Sequence, residues 1–88
     1  MIVWDETKND KLAAGRGVRF EDIVAEITSN SILDILEHRV RKNQKIFVVD
    51  LNGRIYAVPF LSDADGNIIL KTIYPSRKLQ RQYGKKTK

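Results

Sequence analysis

Cysteine is absent from the 88 residues, and histidine occurs once, as His38. Disulfides and thiolate metal sites are thereby excluded, and so is a multi-histidine metal centre. No apolar run approaches the ~20 residues of a membrane span. The N-terminus shows no signal-peptide pattern. A cytoplasmic protein without structural metal or cofactor is expected. Acidic residues are scarce after His38, where only Asp50, Asp63 and Asp65 stand against twelve Lys and Arg, a net of 12 − 3 = +9. Residues 1–37 carry four basic and eight acidic side chains, or −4. This basic second half points to a polyanionic partner, most often nucleic acid, against the plainer reading of a solubilising surface. Length predicts one domain over residues 1–84, followed by a basic tail, 85–88, expected to be disordered.

The strongest local signals lie in the second half. Two β-rich runs, 45–51 and 54–60, flank Asn52-Gly53, a pair suited to the two positive φ angles of a type I′ hairpin turn. Asp65-Gly66 marks a second turn before a third run starting at Asn67. Short turns make successive strands antiparallel neighbours, so this stretch predicts a meander. Both faces of the first two strands are largely apolar, which makes them central, with helices on one face and something else over part of the other. Pro59 lacks a ladder donor and is expected near a strand end or at an edge. Lys71 is the one charge expected inside the third strand, on a face with Ile69 and Ile73.

Upstream, Ile2-Val3-Trp4 is short and β-prone, fit for an edge strand, with Trp4 a core anchor. Asp5 reads as the N-cap of a helix over 6–14, stopped by Gly15 and Gly17. Phe20, Ile23, Val24 and Ile27 recur at helical spacing and predict an amphipathic helix over 20–28. Arg19, at its N-cap, has no acceptor for the free N–H groups. Residues 32–38 fit neither period cleanly and are read as a strand before the meander. Pro75-Ser76 opens a short helix over 77–83, ended by Gly84.

Val3-Trp4-Asp5, Lys8, Gly17-Val18-Arg19-Phe20-Glu21-Asp22, Ser76-Arg77-Lys78 and the closing Tyr83 resemble, in order and spacing, the BrnT family of bacterial toxins. Leu33 to His38, Asn43 to Val49, Tyr56 to Phe60 and Leu70 to Ile73 look like a branch of it. The resemblance spans nearly the whole chain. Arg19 departs from it, since the family usually has a small polar N-cap there. So does the acidic first half, where a nuclease is expected to be evenly basic. The resemblance implies a RelE-like α+β fold: an antiparallel meander with two N-terminal helices on one face and a short C-terminal helix. It further implies a metal-independent ribonuclease that inhibits translation. Its partner would be a neighbouring antitoxin of ribbon-helix-helix type, and operator DNA would be bound only through their complex.

Metal-free RNA cleavage needs a base for the 2′-hydroxyl, an acid for the leaving 5′-oxygen, and cations for the phosphoryl charge. Lys71, Arg77 and Tyr83 are the expected catalytic group, with Lys45 and His38 as further members. Arg77 offers a bidentate fork for phosphate. His38 has the one ring suited to proton transfer near neutrality, and Glu37 is an alternative base. Arg41, Lys42, Lys78 and Arg81 are the expected RNA-binding cations. Each has a plain reading beside it: Lys71 a solvent-facing lysine, Arg77 an ion-pair partner of Asp34 or Glu37, Tyr83 a ring packed on the sheet, His38 a surface residue. Two other functions also fit, a nucleic-acid-binding module without catalysis and a small basic protein that only holds an acidic antitoxin.

Overall fold

In a computed structural model, residues 1–84 are described; the basic tail 85–88 lies outside the described residues. The elements run β1 (Ile2–Val3), α1 (Glu6–Arg16), α2 (Phe20–Thr28), β2 (Asp34–Glu37), β3 (Gln44–Leu51), β4 (Arg54–Ser62), β5 (Ile68–Leu70), β6 (Tyr74–Pro75) and α3 (Arg77–Tyr83). The sheet order is β1-β5-β4-β3-β2, with β6 also paired to β4. The meander from β2 to β5 is antiparallel, and β1 adds to its outer edge in parallel with β5. The α+β class and the strand reading of residues 32–38 are borne out.

Turn chemistry sets the register. Asn52 and Gly53 both have positive φ, 55° and 92°, and the Asp50 carboxylate accepts the Gly53 N–H at 2.7 Å. At the second turn Asp63 accepts the N–H groups of Asp65 and Asn67, both at 2.9 Å. Gly66 takes φ 84° there.

The two faces of β3 and β4 bury different partners. Phe47, Val49, Tyr56, Val58 and Phe60 pack under α1 and α2 with Leu12, Phe20 and Ile23. Phe47 and Phe60 stack face to face at 3.9 Å. Trp4 joins this core with its ring 5.7 Å from that of Phe20. On the opposite face Val48, Ile55 and Ala57 pack against Leu79 of α3, with Leu36, Ile46, Tyr74 and Tyr83 around them. Thus α3 covers part of the second apolar face, and the rest of that face is open.

Four local expectations need correction. The helix α1 runs through Gly15 and stops at Gly17, whose φ of 70° places it left-handed and lets its N–H reach the Ala13 carbonyl. Asp5 caps its start as expected, accepting from Thr7 and Lys8. Arg19 still offers no acceptor to α2, but Asn9 of α1 supplies one from across the helix pair. Its Oδ1 accepts the Phe20 N–H at 2.7 Å, while Asp22 accepts the Arg19 N–H at 2.9 Å.

Pro59 lies inside the central strand β4, buried, and neither at an end nor at an edge. The hydrogen-bonding direction alternates along a strand, and Ala57 and Leu61 turn theirs away from β3, towards β6 and β5. The missing Pro59 donor falls on that same side. There the third strand leaves the ladder after Leu70 and rejoins it at Tyr74. Two residues of β4, Val58 and Pro59, oppose three, residues 71–73, so the break is a bulge. Lys71 is therefore outside any strand, although its N–H reaches the Pro59 carbonyl at 2.9 Å. The extra residue also reverses the facing: Ile73 is buried with the α1–α2 core, and Ile69 falls on the other side of the sheet from it.

Candidate nucleic-acid site

The open part of the second sheet face carries a groove of about 380 Å³ lined by Lys8, His38, Arg41, Gln44, Pro59, Lys71, Thr72 and Tyr74. Each wall has a backbone cause. The bulge opposite Pro59 brings Lys71 and Thr72 to the rim, and β6 resumes just in time to set Tyr74 beside them. The loop after β2 curls back so that the Gln44 N–H meets the Arg41 carbonyl at 3.0 Å, which places Arg41 over the strand end. Lys8 arrives from the first turns of α1. The result is four basic side chains, Lys8, His38, Arg41 and Lys71, with a tyrosine, a threonine and a glutamine between them and no carboxylate in the lining.

His38 holds its own loop. Its Nδ1 accepts the N–H groups of Val40 and Arg41 at 3.2 and 3.1 Å. The neutral ring must then carry its proton on Nε2, which is left as a free donor. That geometry suits donation to an oxygen better than acceptance from one.

The structure divides the residues expected to form one site. His38, Arg41 and Lys71 share the groove. Arg77 lines a separate cavity of about 580 Å³ at the β3–β4 hairpin, with Gly53, Arg54, Pro75, Ser76 and Gln80. Gln80 fixes that end of α3: its Oε1 accepts the Ile55 N–H at 2.8 Å and its Nε2 donates to the Gly53 carbonyl at 3.1 Å. Along β4, Ile55 and Pro59 are four residues apart, roughly 13 Å at ~3.3 Å per residue, so Arg77 and Lys71 belong to two separate hollows.

Tyr83 packs its ring against the sheet and donates its hydroxyl to Asp34 Oδ2 at 2.6 Å. That bond holds the Asp34 carboxyl below the usual carboxylate range and raises the Tyr83 phenol above its own. Lys45 pairs across the ladder with Glu37 and Phe60. Strand alternation puts it, and Glu37, on the opposite face from groove residue Gln44. Lys42, Lys78 and Arg81 are exposed, the first in the loop after β2 and the other two on the outer side of α3.

Sequence reasoning gave no catalytic or binding role to Lys8 or Tyr74. Lys8 lies thirty residues before His38 and more than sixty before Lys71, and only the packing of α1 against the bulge brings it near. A detectable signal existed for Tyr74: it follows the apolar run of the third strand directly before Pro75-Ser76, where the chain must change direction.

No family model matches the chain, and no curated protein matches it by sequence. Among solved structures, it is similar to the ribonuclease toxin BrnT of Brucella abortus, a crystal structure at 1.1 Å resolution. The TM-score is 0.63 at 22% identity, over 85% of this chain and 94% of that one. The likeness establishes a shared fold.

Proposed function

We propose that the chain is a ribonuclease toxin of the BrnT kind, cleaving RNA in the groove formed by Lys8, His38, Arg41 and Lys71. One observation carries the reading: on the fold of a ribonuclease toxin, the sheet face left open beside α3 gathers the cations Lys8, Arg41 and Lys71 around His38, without a carboxylate. A phosphodiester needs positive charge where its non-bridging oxygens take up charge in the transition state. Lys71, Arg41 and Lys8 supply it. The 2′-oxygen attacks phosphorus and sheds its proton to solvent at the open groove, the O2′–P bond forms, and the P–O5′ bond breaks. The His38 Nε2–H hydrogen-bonds the leaving 5′-oxygen and stabilises its charge, and that oxygen takes its proton from solvent. No step calls for a metal, because the charge is provided by side chains. Tyr74 offers a ring on which a base can stack.

Arg77 and Arg54, at the hairpin cavity, hold the strand farther along and position it rather than take part in bond making. Arg81 and Lys78 add general attraction to RNA. Loss of intact messenger would stop translation in the cytoplasm. The harm to the host would be restrained by an antitoxin encoded alongside, of ribbon-helix-helix type, with operator DNA bound through the complex. Inducing the chain alone in a bacterial host tests this reading. Growth should stop and cellular RNA should shorten, and both effects should vanish with Lys71→Ala. A chain that binds RNA but leaves it intact would instead be a binding module.

A further inference from the structure

Beside the groove lies a second cleft, of about 310 Å³, between α1 and the bulge, lined by Lys8, Lys11, Leu12, Gly15, Arg16 and Thr72. Lys8 and Thr72 belong to both hollows, so the cleft continues the groove along the face of α1. We propose that this cleft is a nucleotide subsite that carries single-stranded RNA away from the groove, its backbone held by Lys11 and Lys8. The inference rests on the ribonuclease reading and extends it to the length and path of the RNA.

Three features of the chain support it. Residues 8, 11, 12 and 15 recur at spacings of three and four and form one stripe of α1. That stripe sets Lys8 and Lys11 on the cleft, with Leu12 beneath them in the core. The wall opposite is built: Arg16 Nη1 donates to the Ile73 carbonyl at 2.6 Å, tying the bulge to the end of α1.

Gly15 is the third feature. It sits inside a helix, where glycine is disfavoured relative to alanine. It is not among the glycines with positive φ, and a Cβ built on it meets nothing within 4 Å. Neither backbone conformation nor packing within the described residues calls for glycine there. An absent side chain on a cleft floor allows a ligand backbone to approach closely, and cations on either side favour an anionic one.

The test compares two uncleavable 2′-O-methyl RNAs, a dinucleotide and a strand of about ten nucleotides, a length within the usual range of single-strand binding sites. Binding of the longer strand is followed by fluorescence anisotropy at several salt concentrations. The dinucleotide is followed by NMR shifts of the His38 and Lys71 amides. Lys11→Ala should weaken the longer strand several-fold and lower its logarithmic salt slope by about 0.7, the value for one single-strand phosphate contact. Gly15→Leu, which keeps a strong helix former, should weaken it similarly by filling the cleft. Both variants should leave the dinucleotide response unchanged. If the dinucleotide shifts the groove amides while the longer strand binds both variants as tightly as the unaltered chain, the subsite is overturned and the ribonuclease reading stands. If neither RNA binds, both are overturned.

Discussion

Asn9 caps a helix to which it does not belong. It is 1% exposed, its Oδ1 takes the Phe20 N–H, and its Nδ2 donates to Glu21 at 2.8 Å. That bond is the main reason the Glu21 carboxyl is held below its usual range. Sequence alone could show that Arg19 fails as a cap, yet not that the acceptor lies ten residues upstream, because the partner is chosen by the packing of α1 on α2. Asn9→Ala leaves a buried N–H without an acceptor, so a loss of about 1–3 kcal/mol in unfolding free energy is expected. Arg19→Ala should stay within about 0.5 kcal/mol, as exposed substitutions do. Chemical denaturation of the two variants measures this; equal effects would mean that Asn9 is not the cap.

The short helix α3 owes its place to one buried residue and two polar ties. Leu79 enters the core of Val48, Ile55 and Ala57, Gln80 holds the hairpin, and Tyr83 holds Asp34. Sequence showed the helix and both its ends: Ser76 accepts the Leu79 N–H at 3.2 Å, and Gly84 follows Tyr83. Which face it would cover was not legible, since Leu79 and Tyr83 fit either side of a two-sided sheet. The break in the third strand was hidden for a related reason, because Pro59 acts on residues 71–73, twelve to fourteen positions downstream, which belong to no shared motif with it. The Tyr83–Asp34 tie has a pH signature. Asp34 is shifted down, so its contribution is present above the usual carboxylate range and is lost as pH falls through the lowered value. Tyr83 is shifted up, so its contribution is present below the usual phenol value and is lost as pH rises through the raised one. The stability difference between the chain and Tyr83→Phe should therefore be steady around neutrality and shrink in acid. A difference that stays constant as Asp34 becomes protonated would show that the bond contributes nothing to docking α3.

At the scale of the whole molecule, the fold was legible where turns and periodicity spoke together: Asn52-Gly53, the second turn at Asp63–Gly66, and the 3.6-residue recurrence from Phe20 to Ile27. The charge asymmetry was legible too, but not its use. The sequence grouped Lys71 with Arg77 and Tyr83 on the expectation that the break at Pro75-Ser76 folds α3 back towards the third strand. The bulge and the docking of α3 instead group Lys71 with His38, Arg41 and Lys8, and leave Arg77 at the far end of β4. The acidic first half contributes Lys8 and Lys11, two of its four cations, to the lining of these hollows, where α1 passes the bulge. Among the described residues no helix is long and apolar enough to cross a membrane, and the charged faces are open to solvent. The central claim is cleavage of RNA by this groove with side-chain cations alone. Its most direct measurement is digestion of a single-stranded RNA by the purified chain in excess chelator, with analysis of the product ends. The account predicts 2′,3′-cyclic phosphate and 5′-hydroxyl termini, unaffected by the chelator, and a rate lowered by about 10²–10³ in folded Lys71→Ala. Intact RNA, cleavage that stops with the chelator, or an unchanged rate in Lys71→Ala would contradict it.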